Sequence, residues 1–283
     1  MPSAGVPAGI LSALSFGAGD FAGAVAARRA GALVVVAGAH GIGLVALLVA
    51  TLIIRPPLPD PEGILLGLAA GVAGAVGLAA LYRGMSLGSM GLVTALSGAG
   101  SLAIPLVVAA LLGAEATITQ LIGVSCAAAA AVAASGASRG DLGRLALVLA
   151  GLAAVSFGTW YVLIDFAARA GDPLWAIVFS RAASAGLTAI VAVRRVGRGR
   201  FPVRIVAAAG LLDVGGNALY VIARDSMPVS LAAALTGMYP VVTMLLARFV
   251  LGEHLPRLGQ LSVALALLGV LLISIGGPTE TAP

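Results

Sequence analysis

The feature that most constrains this chain is a series of ten apolar runs, each about 20 residues long. Helices of that length cross a bilayer, and backbone groups in lipid must be satisfied within their own element, which excludes open strands. The whole chain is 60% hydrophobic and only 10% charged, far from the balance of a soluble domain. The sequence therefore predicts an all-α integral membrane protein with ten transmembrane helices, at 7–27, 33–54, 63–82, 87–112, 117–136, 143–164, 174–193, 203–222, 228–250 and 258–276.

The charged residues, the single cysteine and the histidines narrow the classes of function that we expect for the chain. All 16 basic residues are Arg and none forms a stripe interleaved with aromatics, so we expect no nucleic-acid partner. The single Cys126 rules out an intramolecular disulfide and a CxxC site. With two histidines and no HExxH, GxSxG or phosphate-binding loop, we expect no enzyme, no cofactor and no metal site. The N-terminus lacks a positive charge before its apolar run, so we expect no cleaved signal peptide.

The chain also repeats itself. The repeat aligns His40 with Arg181 and Glu115 with Glu253, and it recurs in three short strings: SFG (15–17 and 156–158), LY (81–82 and 219–220) and ALSG/ALTG (95–98 and 234–237). A duplicated unit of five helices accounts for this spacing. Five is odd, so the second copy enters the membrane upside down, as in many secondary transporters. We predict repeat 1 at 1–138 and repeat 2 at 139–283.

Two carboxylates stand inside predicted spans, where charge is costly and indicates function by default. Asp20 lies about two-thirds of the way along the first helix, and Asp213 lies midway along the eighth. Asn217 and Tyr220 follow Asp213 by four and seven residues and share its helical face. We interpret these four as candidates for binding a substrate or a proton. The alternatives are a protonated structural acid at Asp20 and an interhelical clamp at Asp213 and Asn217.

Other polar and aromatic residues carry open alternatives. Arg181, inside the seventh helix, holds a substrate carboxylate, pairs permanently with an acid, or extends to the interface. Tyr161, beside the repeated SFG with Trp160, lines a cavity or packs. For His40 we favour a satisfied polar group near a helix end. Asp165 and Arg169 are interpreted as boundary residues, at or just beyond the end of the sixth helix.

Several prolines, glutamates and glycines also carry structural predictions. Pro105 and Pro240 are predicted to lie inside the fourth and ninth helices and to kink them, as hinges or as static bends. Glu115 and Glu253 occupy matching positions after long helices, which favours a shared structural role. A stripe of glycines at 63, 67 and 71 predicts close helix packing.

The arginines are unevenly distributed between the two membrane sides. The side of the N-terminus holds Arg55, Arg169 and Arg224. The opposite side holds Arg28, Arg29, Arg83, Arg139, Arg144, Arg194, Arg195, Arg198, Arg200, Arg204 and Arg257. The positive-inside rule then places both termini outside the cytoplasm.

Four stretches resemble a known family: FGAGDFAGAVAARRAG (16–31), ALYRGMSLG (80–88), GLLDVGGNALYVIA (210–223) and TGMYPVVTMLLARFVLGEHL (236–255). They are similar to bacterial EamA-type members of the drug/metabolite transporter superfamily, over essentially the whole chain. The resemblance implies ten helices in two inverted repeats around a central cavity, in a bacterial inner membrane. It also implies cytoplasmic termini, in conflict with the arginine count.

The resemblance and the buried acids together predict a secondary active transporter, an exporter or exchanger of a small polar metabolite such as an amino acid or amine. Asp20 and Asp213 would face the cavity and bind an amine or exchange a proton. The expected partners are a small-molecule substrate, H⁺ and the lipid bilayer, and the sequence allows a homodimer. The alternative is a membrane scaffold or accessory subunit whose acids only clamp helices.

Overall fold

A computed structural model of the protein describes residues 4–113, 115–137, 140–193 and 202–276, without the side chains of 140–142, 229 and 230. The described residues form α-helices joined by short connections, with no strand among them. The helices are α1 (Gly5–Ala30), α2 (Ala32–Ile54), α3 (Pro61–Leu87), α4 (Met90–Leu111), α5 (Ile118–Ala137), α6 (Gly140–Arg169), α7 (Pro173–Val193), α8 (Val203–Ser226), α9 (Val229–Thr236), α10 (Tyr239–Leu251) and α11 (Arg257–Ile275).

The predicted ten membrane spans are confirmed, because ten stretches of the described chain are long and apolar enough to cross a bilayer. Several ends differ from the prediction by a few residues; the third helix, for example, continues to Leu87 rather than 82 and the eighth to Ser226 rather than 222. The fourth span begins at Met90 rather than 87, because Gly88 and Ser89 are extended and the Ser89 hydroxyl caps the helix by accepting from the Leu92 amide at 3.3 Å. The sixth continues to Arg169 instead of ending near 164, so it carries two charged residues in its last turns.

The ninth span is not one helix. It is interrupted at Gly237 and Met238, between α9 and α10. The predicted kink at Pro240 takes the form of a break in the span: Pro240 lies in the first turn of α10, where the missing N–H needs no acceptor, and not inside one continuous helix. Pro105 does lie inside α4, as predicted.

Contacts between the two halves are reciprocal. Helix α1 packs on α8, and α3 packs on α6, so the first helix of each half meets the third helix of the other. Helix α2 packs on α7 and α5 on α11, second on second and fifth on fifth. This is the pattern that the predicted repeat would give if a twofold axis related the two halves. The inverted direction of the second half stays a prediction, and its proposed boundary at 138 and 139 lies outside the described residues.

Glycines set how closely these helices approach. A Cβ added at Gly67 would lie 3.2 Å from the Ala176 carbonyl oxygen of α7, and one added at Gly71 would collide with the carbonyl of Ser180. The stripe at 63, 67 and 71 therefore packs along the α6–α7 hairpin, as the sequence predicted.

Of the arginines counted for orientation, Arg139, Arg194, Arg195, Arg198 and Arg200 lie outside the described residues.

Candidate functional site

A polar network crosses the interface between α2, α7 and α8. An Arg181 guanidinium nitrogen lies 2.5 Å from an Asp213 carboxylate oxygen, and the two side chains are 11% and 29% exposed. A second guanidinium nitrogen of Arg181 contacts Nε2 of His40. Nδ1 of His40 lies 2.5 Å from the Ser184 hydroxyl. Arg181 is thus held from two helices at once, and its charge is neutralised within the protein.

The partners of His40 define its hydrogen-bonding state. A guanidinium has only donors, so Nε2 of His40 must accept from Arg181. Nδ1 then carries the hydrogen and donates it to Ser184. The imidazole in this arrangement is neutral. The interpretation of His40 as a satisfied polar group fits its two partners, and the sequence did not anticipate that one of them is Arg181.

His40 and Arg181 are also the two positions that the sequence repeat aligns, 141 residues apart. Two equivalent positions that touch each other lie close to the axis relating the halves. This places the Arg181–Asp213 pair where the two halves of the chain meet.

Asp20 lies next to this network, on the helix that packs against α8. The Ser12 and Ser15 hydroxyls of α1 donate to the carbonyl oxygens of Gly216 and Leu212 at 2.8 and 2.7 Å. A Cβ added at Gly19 would lie 3.6 Å from the Asp213 amide nitrogen. These contacts bring Asp20 within electrostatic range of Asp213.

The Asp20 carboxyl has no ion-pair or hydrogen-bond partner among the described side chains. Across the described ranges, it forms no ion pair and accepts no side-chain hydrogen bond. Its oxygens are not among the fully enclosed unpartnered atoms, of which the described residues contain one, the Thr236 hydroxyl. Asp20 is therefore half-buried and has no partner among the described side chains.

Tyrosines from three helices, Tyr82, Tyr161 and Tyr239, lie within electrostatic range of this acid. Tyr82 of α3 is 3% exposed, and a Cβ added at Gly23 would collide with its phenol ring. It lies within electrostatic range of Asp20, Asp213 and Arg181. Tyr239, at the start of α10, is within range of Asp20 and packs edge-on to Phe16 with ring centroids 6.5 Å apart.

The sequence interpretation missed Tyr82, although a signal existed. The repeated LY string pairs Tyr82 with Tyr220, and only Tyr220 was chosen. The structure brings Tyr82 to the acids. Tyr220 packs at the edge of a cluster containing Ala8, Ala223 and Ala232, within electrostatic range of Tyr161.

The remaining candidates have defined positions. Tyr161 is 41% exposed, packs edge-on to Trp160 with centroids 5.3 Å apart, and lies within electrostatic range of Asp20. The Trp160 indole donates to the Ser180 hydroxyl at 2.9 Å, which ties α6 to α7. Asn217 donates to the backbone carbonyl of Asp213 at 2.8 Å, so it contacts the backbone of its own helix and not the carboxylate.

Two pairs of charged residues lie away from this region. Glu253 accepts from the Ser89 hydroxyl and, at 3.0 Å, from the Met90 amide, so it caps α4 from the segment after α10. Glu115 is exposed in the segment after α4. Asp165 and Arg169 pair with each other at 2.9 Å on the exposed end of α6. No group of three metal-ligating residues occurs among the described residues.

Comparison with known proteins agrees with this fold. Residues 144–275 match the EamA-like transporter family. A solved structure titled only "Crystal structure of protein" superposes with a TM-score of 0.64 at 18% identity, covering 96% of this chain and 98% of that one. At that identity the likeness shows the fold alone. No curated protein matches the chain.

Proposed function

We propose that the chain, whose residues 144–275 match the EamA-like transporter family, is a secondary active transporter of a small polar metabolite bearing an amine. Alternating access through a central cavity between the two halves would carry the solute, with the chain acting as an exporter or exchanger. The proposed location is a bacterial inner membrane.

The observation that carries the proposal is an Asp20 without a partner, near the Asp213 whose charge Arg181 already neutralises. The charges of Arg181 and Asp213 cancel at 2.5 Å. An ionised Asp20 would therefore leave the region with one negative charge that no cation of the described residues pairs with. In an apolar setting such a carboxylate takes up either a cation or a proton.

The surroundings of Asp20 favour an organic cation. Tyr82 and Tyr239 are within electrostatic range of it, and aromatic faces attract ammonium groups. Competition between an ammonium and a proton for one carboxylate would couple the two movements. We propose that Asp20 binds the amine or H⁺, that Tyr161 lines its route, and that Arg181 and Asp213 hold the frame and exchange partners when a substrate carboxylate enters. For Asn217 and Tyr220 we keep the proposed role of orienting the solute from α8.

A ligand-stabilisation screen tests this proposal. Amines, amino acids and simple carboxylic acids are added to the purified protein, and the rise in melting temperature is recorded, since a ligand that binds only the folded state stabilises it. We expect hits among amines or amino acids, lost in Asp20→Asn and retained in Asp165→Asn, the matched control at an exposed carboxylate. Hits confined to acids without an amine, or hits unaffected by Asp20→Asn, would overturn the assignment.

One observation favours the alternative, a scaffold or accessory subunit. Each member of the Arg181–Asp213–His40–Ser184 network has a partner within the network, as the residues of a structural clamp would. That function predicts that no solute stabilises the protein and that Asp20→Asn changes only its stability. The same screen separates the two.

A further inference from the structure

A lateral crevice of about 720 Å³ lies over α3, away from the Asp20 region. Its floor is made of small residues of α3, including Ala75 and Ala79. Its walls come from the α1–α2 turn, the first half of α6 and the second half of α7. The wall residues are Leu33, Val34, Leu149, Leu152, Leu187 and Val191.

The crevice opens sideways, toward the lipid. Four of its apolar lining side chains are well exposed, Val76 at 40%, Leu152 at 45%, Leu187 at 38% and Val191 at 37%. On a membrane-spanning helix such exposed apolar side chains meet acyl chains. Acyl chains of the bilayer therefore have access to the crevice.

One charged residue lines it. Arg83 is exposed and stands one turn before the end of α3 at Leu87, at the level of a membrane interface. It forms no ion pair with any carboxylate in the described part of the chain. From Ala75 to Arg83 the crevice runs for about 12 Å along the helix, at 1.5 Å per residue.

An apolar slot open to lipid with an unpaired guanidinium at its interfacial end has the chemistry of a phospholipid site. We propose that the crevice binds an anionic phospholipid, with its phosphate on Arg83 and the upper part of an acyl chain on Ala75 and Ala79. A guanidinium matches phosphate in planar, two-pronged geometry, which a single point charge does not. The small floor residues leave the room that a chain needs.

The alternative is that Arg83 only extends to the interface, as arginines near helix ends do. Arg248 provides the matched control, because it is also exposed and stands one turn before the end of its helix, α10, but it does not line the crevice. A general attraction of anionic lipid to basic residues would act on both arginines alike.

The test uses the purified full chain in neutral detergent. Phosphatidylglycerol, phosphatidylcholine and inorganic phosphate are added separately, and retained lipid is counted by native mass spectrometry beside the melting temperature. We expect phosphatidylglycerol to be retained in preference to phosphatidylcholine. Arg83→Gln should weaken its binding about fivefold, from the loss of one arginine near the surface, while Arg248→Gln leaves it unchanged.

A second variant tests the acyl slot. Ala79→Phe fills the floor and should reduce lipid retention while Arg83 stays in place. If that variant fails to fold, the comparison of the two arginine variants still decides. Equal effects of Arg83→Gln and Arg248→Gln, equal retention of phosphatidylcholine, or equal stabilisation by inorganic phosphate would overturn the proposal.

Discussion

Removing both partners of the Arg181–Asp213 pair should destabilise the protein by less than the sum of the two single removals. At an effective dielectric of about 20, two unit charges about 4 Å apart attract by about 4 kcal/mol. Desolvation offsets part of this attraction, and Asp213 is 29% exposed, so we expect a net coupling of about 2 kcal/mol. Asp213→Asn alone leaves the 11% exposed Arg181 without its counter-charge and should cost about 3 kcal/mol.

A double-mutant cycle measures this coupling. The variants are Asp213→Asn, Arg181→Met and their combination, each followed by thermal unfolding in the same detergent. Each single change should lower the apparent melting temperature by roughly 5–10 °C, and the double change by less than their sum.

The exposed pair Asp165–Arg169 is the control cycle. It lies on the surface of α6 with side chains 57% and 74% exposed, where ion pairs contribute less than about 1 kcal/mol. Strictly additive losses for Arg181 and Asp213, or equal coupling in the two cycles, would refute the assignment of the central pair as a neutralised unit.

Two further changes test the frame around the site. Glu253→Gln should destabilise by about 1–2 kcal/mol, because it weakens a charged cap on the N-terminus of α4, and a thermal melt that matches the wild type would contradict that role. Gly17→Ala should lower the melting temperature because its Cβ would lie 2.5 Å from the Val242 Cβ of α10, whereas Gly41→Ala, with no atom within 4 Å, should leave it unchanged or raise it. Equal shifts for the two glycine variants would show that α1 and α10 do not approach this closely.

The spans could be predicted from the sequence because length and apolarity suffice for membrane helices. The break at Gly237 and Met238 had a local signal in Pro240, because a proline has no N–H for the carbonyl one turn earlier. Whether the span bends or breaks there depends on packing: a Cβ added at Gly237 would lie 2.7 Å from Val270 of α11, a contact that the sequence does not encode. Pro240 therefore begins a helix where a kink inside one was predicted.

The sequence identified several residues of the site but not the contacts between their side chains. Asp20, Asp213 and Arg181 stood out because charge is rare in lipid. Which acid pairs with Arg181 depends on how α7 and α8 pack, and no spacing in the sequence encodes that. The repeat did contain one usable signal: it aligned His40 with Arg181, and the two side chains touch. Followed through the LY string, the same repeat would have added Tyr82.

The central claim is that Asp20 binds the transported solute or its counter-ion. It is tested most directly by transport in proteoliposomes of a solute that stabilises the purified protein, with a pH-sensitive dye inside to follow H⁺. We expect the wild type and Asp165→Asn to move both solute and H⁺. Asp20→Asn should remain folded and move neither. Wild-type rates in Asp20→Asn would contradict it.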